Sequence, residues 1–95
     1  MSKDTREMVR YGKDKNGQRK SALWTVRKDG YVYWGVSRCR LSTDKFNKVL
    51  GMEIAKGRAL KALALVQEGN PMHNNHMGVV AIDNIKEFLT WFKSI

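Results

Sequence analysis

The 95 residues hold a single cysteine and a single proline, and no run of apolar residues approaches the length of a membrane span. Cys39 has no partner, which excludes an internal disulfide and fits a reducing compartment. Without a stretch of about 18 apolar residues, no transmembrane helix is expected. The opening Met1-Ser2-Lys3-Asp4-Thr5-Arg6 has no apolar stretch behind its charges, so no secretory signal is expected and the expected location is the cytoplasm. Phosphate-loop and dinucleotide-loop glycine patterns are missing, as is any carboxylate pair at a useful spacing. His73 and His76 form an H-x-x-H pair, but zinc needs about four ligands and Cys39 is the only other soft donor. Neither a metal nor a cofactor is therefore expected. A Cys39 thiol nucleophile would lack an orienting third group, and the chain is expected not to be an enzyme.

Acidic residues are also scarce: 9 Asp and Glu stand against 18 Lys and Arg, a net charge of +9. The imbalance is local. Residues 1–61 hold 16 basic and 6 acidic side chains, whereas residues 62–95 hold 2 and 3. Such a concentrated positive field attracts polyanions and speeds their encounter. The alternative reading of the same charge is a solubilising surface. An apolar fraction of 42% is ordinary for a globular protein, and this length accommodates one domain, residues 1–95.

Asn16-Gly17 and Asp29-Gly30 are pairs that tolerate the positive φ of tight hairpin turns. They separate segments 8–15, 18–28 and 31–40, the last two rich in β-branched and aromatic residues. These predict a three-stranded antiparallel meander, a basic sheet over 8–40 with 18–28 in the centre. Two-residue turns would set Lys28 opposite Tyr31, Val26 opposite Tyr33, Trp24 opposite Gly35, Tyr11 opposite Ala22 and Val9 opposite Trp24. One face then carries Leu23, Thr25, Val32, Trp34 and Val36, ending on Arg38, and suits a core. The other carries Val9, Tyr11, Trp24, Val26, Lys28, Tyr31 and Tyr33, and suits a contact surface. A one-residue slip in either turn would exchange the two.

Ser42, Thr43 and Asp44 offer N-caps for a long helix over 44–68, stopped by Gly69-Asn70-Pro71. Phe46, Val49, Leu50, Gly57, Leu60 and Ala64 fall on one stripe of it, with a separate strip of small residues at Gly51, Ala55, Ala59 and Ala62 that permits close approach of a neighbour. After a polar loop, residues 78–82 form a short apolar run that suits an edge strand. Asp83 can cap a final helix over 84–93, whose Ile85, Phe88, Leu89, Phe92 and Ile95 share one face. That face is the expected second cover for the long helix. The expected class is α+β, in the order βββαβα, with a C-terminal strand and helix over 78–94.

Basic and aromatic residues interleave along the meander. Arg10, Lys13, Arg19, Lys20, Arg27, Lys28, Arg38 and Arg40 are candidate phosphate contacts, beside Arg6 and Lys15 of the same basic set. Trp24, Tyr31 and Tyr33 are candidates either to stack on bases or to pack. Trp34 shares the parity of Val32 and Val36 and reads as core. Trp24 opposite Gly35 could also cover the bare glycine. Lys45, Lys48, Lys56, Arg58 and Lys61 add charge on the long helix.

A three-stranded meander followed by a helix, with Trp34-Gly35 ahead of an Ala-rich helical segment at 59–64, resembles DNA-binding modules of the AP2 and integrase arm-binding families. That resemblance implies a sheet lying in the major groove. Gly35-Val36-Ser37-Arg38-Cys39, Asp44-Lys45-Phe46-Asn47 and Ile54-Ala55-Lys56-Gly57-Arg58-Ala59 are similar to small bacteriophage proteins. That second resemblance implies a phage-encoded inhibitor in the host cytoplasm that binds an acidic host protein, such as a nucleic-acid enzyme or a defence protein, through protein–protein contacts. DNA or RNA is the expected partner, an acidic host protein is the alternative, and a helix-mediated homodimer is allowed by the apolar segment 59–66.

Overall fold

Turn chemistry determines the sheet. The computed structural model describes residues 5–38, 47–70, 74 and 76–95. In it, strand β1 (Arg6–Lys13), β2 (Arg19–Lys28) and β3 (Tyr31–Arg38) form an antiparallel meander, and β4 (Met77–Ala81) pairs with β3 to give the order β1-β2-β3-β4. Asp29 and Gly30 both take positive φ, 54° and 83°, as a two-residue turn matched to strand twist requires. Lys28 faces Tyr31, Val26 faces Tyr33 and Trp24 faces Gly35, as the sequence predicts.

The first turn reaches its register differently. Asp14 N–H donates to the Gln18 carbonyl, while the Asp14 side chain accepts from the amides of Asn16 and Gln18. The loop therefore closes around three residues, not two. An irregularity between Gly12 and Lys13 pairs Lys13 with Arg19 and skips Lys20. This bulge restores Tyr11 opposite Ala22 and Val9 opposite Trp24, and turns Arg19 toward the Tyr11 side.

Helix α1 (Lys48–Gln67) begins at Asn47, whose side-chain oxygen accepts the Leu50 amide at 3.0 Å. Asn47, rather than Ser42, Thr43 or Asp44, is thus the cap, because its extended backbone lies just outside the helix; those three residues lie outside the described ones. Gly69 at φ 79°, with Gly69 N–H on the Val66 carbonyl and Asn70 N–H on the Leu65 carbonyl, closes the C-terminus in the paired-bond motif that favours glycine. A short 3₁₀ turn, Ile82–Asn84, leads into α2 (Ile85–Ser94). Asp83 sits within that turn, and no side chain caps α2. Among the described residues, no helix is long and apolar enough to cross a membrane.

The sheet is covered on both faces, which corrects two expectations. Leu23, Trp34 and Val36 pack with Phe88 and Phe92 of α2, and Trp34 meets the Phe88 and Trp91 rings at 4.9 and 5.4 Å. On the opposite face, Val26 and Tyr33 pack with Ala59 and Ala62 of α1 and with Met77. The face expected to be a contact surface is therefore also core. The two helices are separated by the sheet, so α2 buries its apolar face on strands rather than on α1.

Packing at Gly35 explains which side of α1 is buried. A Cβ there would overlap the Ala55 carbonyl oxygen and the Ala59 amide nitrogen, so helix backbone lies directly on strand backbone. Only small residues fit such a contact, and Gly51, Ala55, Ala59 and Ala62 are the buried residues of α1. Ser37 Oγ donates to the Gly51 carbonyl at 2.7 Å, and the Arg58 guanidinium donates to the Val36 carbonyl. The apolar stripe of Val49, Leu50 and Leu60 faces outward, with exposures of 59, 53 and 40%. The space over Gly35 is filled by α1 and not by Trp24.

Gly35→Ala should lower the thermal and urea midpoints by the equivalent of roughly 1–3 kcal/mol or more, since backbone atoms must move to admit the methyl group. Unchanged midpoints would contradict this contact.

Candidate nucleic-acid interface

Strand parity divides the basic residues between the two faces. On the α2 side, Arg6 stands directly opposite Arg27, Met8 opposite Thr25, and Arg10 opposite Leu23. Because α2 is only ten residues long, it covers the Leu23–Trp34–Val36 region and leaves the β1 end of this face open. There, Arg6, Arg10 and Arg27 border a shallow groove of about 90 Å³. Met8, Thr25 and Val32 form its floor, and Ile85 and Leu89 of α2 its far wall.

No carboxylate lines this groove. Glu7, the nearest acid along β1, has the opposite parity and accepts the Trp24 indole N–H at 3.1 Å. Like charges directly across a strand pair are destabilising, so Arg6 and Arg27 form a site that an anion placed between them would relieve. On α2, Lys86 and Lys93 are exposed and lie within about 60° of Leu89 on the helical wheel, on the side away from Phe88. They extend the positive rim onto the helix.

The α1 side has a different arrangement, in which cations lie over two of the aromatic rings while Tyr31 is 50% exposed. Arg19 and Lys48 lie 5.4 and 5.5 Å from the Tyr11 ring centre, and Lys56 lies 5.2 Å from that of Trp24. Each is a cation–π contact of modest strength at an exposed site. Tyr33 is buried. Burial, followed by the Asp29 charge and Tyr31, pushes its phenol above the usual value of 10.0.

The candidate residues are thus not one surface. Arg10, Arg27 and Arg38 face the α2 side, with Arg38 at the far end opposite Ser21. Lys13, Arg19, Trp24, Lys28, Tyr31 and Tyr33 face the α1 side, where Lys28 and Tyr31 flank the second turn. Lys20 occupies the bulge, and Arg40 lies outside the described residues. Arg6, Lys86 and Lys93 are further basic residues at the groove: Arg6 belongs to the basic set read from the sequence but not to its candidate contacts, and the two lysines to neither. Arg6 shares parity with Arg10, a signal present in the sequence. The lysines become relevant only once α2 is known to lie on this face.

Chemically, the groove can hold an anion by charge and guanidinium hydrogen bonds. The residues lining it include no nucleophile–base pair. Among the described residues, no group of three His, Cys, Asp or Glu could hold a metal ion. Comparison of the chain with protein-family models, curated proteins and solved structures gives no match.

The raised Tyr33 phenol has two consequences. In an ultraviolet titration, one tyrosine should ionise later than an ordinary phenol, and Tyr33→Phe should remove that late step. Above pH 10 the unfolded chain loses this proton while the folded chain keeps it, so folding stability should fall as pH rises from 10 toward the folded-state value. Loss of an ordinary step rather than a late one in Tyr33→Phe would place the phenol in solvent.

Proposed function

We propose that the chain is a non-enzymatic nucleic-acid-binding protein that grips phosphates at the open groove between β1, β2 and α2. The observation that carries this reading is the convergence of Arg6, Arg10 and Arg27 on one acid-free groove, with Arg6 and Arg27 directly paired across strands. Phosphate contacts fix position without reading bases. On this face Trp34, Phe88 and Phe92 are buried and the half-buried Trp91 is held in the same ring cluster. No stacking platform is offered, so binding is largely independent of sequence. This departs from the AP2-like expectation, because α2 occupies part of the face that would lie in a major groove. The second reading, an effector of phage type that docks on an acidic host protein, is favoured by the exposed Met8 and Val9 on the open strand β1.

Fluorescence anisotropy with labelled duplex DNA, single-stranded DNA and RNA at increasing salt separates the two. For a phosphate-gripping protein, log affinity falls linearly with log salt, by about 0.9 per duplex phosphate engaged. The triple variant Arg6→Gln, Arg10→Gln, Arg27→Gln should bind weakly and reduce the slope by roughly 2–3, with an unchanged circular dichroism spectrum. Lys13→Gln, on the other face, should bind nearly as the parent does. Absence of binding to all three polymers at low salt would overturn the reading in favour of a protein partner.

A further inference from the structure

The outward face of α1 carries a row of large apolar side chains. Val49, Leu50, Ile54 and Leu60 are 59, 53, 39 and 40% exposed, and Ala64 is exposed beyond them. The small strip on the other side of the helix already satisfies the sheet, so these larger side chains are not needed for the core. Gly57 lies at the middle of the stripe, where a Cβ would meet nothing within 4 Å. A glycine in an exposed helix interior costs about 1 kcal/mol relative to alanine, and packing within the described fold does not explain this one.

The stripe is symmetric in its chemistry about Gly57. Three residues to either side stand Ile54 and Leu60. Glu53 and Lys61 stand at four, and Leu50 and Ala64 at seven. These offsets alternate between three and four, the spacing of a seam between two helices. We propose that this face binds a second copy of the same chain, with two α1 helices packed antiparallel and the twofold axis passing at Gly57.

In that arrangement, a residue n positions before Gly57 meets the residue n positions after it on the other copy, as an isologous contact requires. Ile54 packs on Leu60 of the partner subunit, and Leu50 packs on Ala64 of the partner subunit. Glu53 pairs with Lys61 of the partner subunit, and the symmetry repeats that ion pair. The absence of a side chain at Gly57 lets the two backbones approach closely where they cross.

Charge decides between a second copy and other occupants. A chain of net charge +9 repels itself, yet this stripe holds one acid and one base and is locally neutral. Antiparallel pairing matches them. Parallel pairing would set Glu53 against Glu53 and Lys61 against Lys61, and so selects against itself. The contact lies on the side of the sheet away from the arginine groove, so the dimer carries two such grooves facing outward.

Sedimentation velocity on the full chain, nuclease-treated and at physiological salt, tests the proposal. The average mass should rise from monomer to dimer with concentration. Leu60→Glu should remain folded by circular dichroism and stay monomeric. Glu53→Lys and Lys61→Glu should each weaken dimerisation roughly tenfold, by losing two ion pairs and gaining two repulsions. The double reversal Glu53→Lys, Lys61→Glu should restore it. The triple arginine variant should dimerise as the parent does, which keeps this result separate from nucleic-acid binding. A monomer at every concentration, or a dimer indifferent to the charge reversals, would overturn the proposal.

Discussion

The contact between strand and helix backbone at Gly35 is the constraint on which the rest of the molecule depends. A hydrogen atom in place of a side chain on β3 lets the Ala55 and Ala59 turn of α1 sit directly on the sheet. That closeness demands small residues along the buried side of the helix, which places the larger apolar residues on the outside. It also uses the Trp24–Val26–Tyr33 face of the sheet for the helix. The C-terminal residues must then find burial on the opposite face. Trp34, Phe88 and Trp91 meet there as a cluster of tilted rings, 4.9 to 5.6 Å apart.

A sheet covered on both faces leaves little room for a broad contact surface on the strands; what remains open is what the helices do not reach. Helix α2 is too short to cover the whole of its face, and the uncovered corner is where the β1 arginines project. Of the aromatic residues that gave the basic segment its appearance of a stacking platform, Tyr11, Trp24, Tyr31 and Tyr33 lie on the other side. Tyr33 is buried, Tyr11 and Trp24 are half-buried with lysine or arginine over their rings, and Tyr31 is exposed beside the second turn. Charge and aromaticity, interleaved along the chain, are separated in space by the alternation of the strand.

Local chemistry was legible in the sequence and the long-range choice of partner was not. Asp29-Gly30 set a register that the structure reproduces pair for pair from Lys28–Tyr31 onward. The first hairpin keeps its register by another route, a three-residue loop offset by a bulge, which no dipeptide signal distinguishes. Trp34 was legible as core from its parity with Val32 and Val36, and so was the C-terminal helix with its apolar face. The orientation of α1 was not. Burial tends to follow the largest apolar stripe, and the rule fails here because a single glycine on a strand outweighs it. The importance of Gly51, Ala55, Ala59 and Ala62 was visible in their spacing, but which neighbour they admitted was not. Strand alternation separates the two faces of the sheet but does not show that helices cover both, which is why Val26 and Tyr33 read with the contact face and not as core. The arginine groove was half legible, through Arg10 and Arg27.

Strand β1 is also an edge. Along Arg6–Lys13 nearly every side chain is exposed, and the outer row of backbone groups has no strand beside it among the described residues. Such a row is a template on which another extended chain can pair. Here Arg6, Arg10 and Lys13 punctuate it at near-regular intervals, with Met8 and Val9 between them, and the one acid, Glu7, is engaged by the Trp24 indole N–H. Two such edges approaching each other would bring like charges together before any hydrogen bond could form. The basic residues of β1 therefore act as a barrier to fibre-like self-pairing that is only as high as their charge. Whatever neutralises them lowers it.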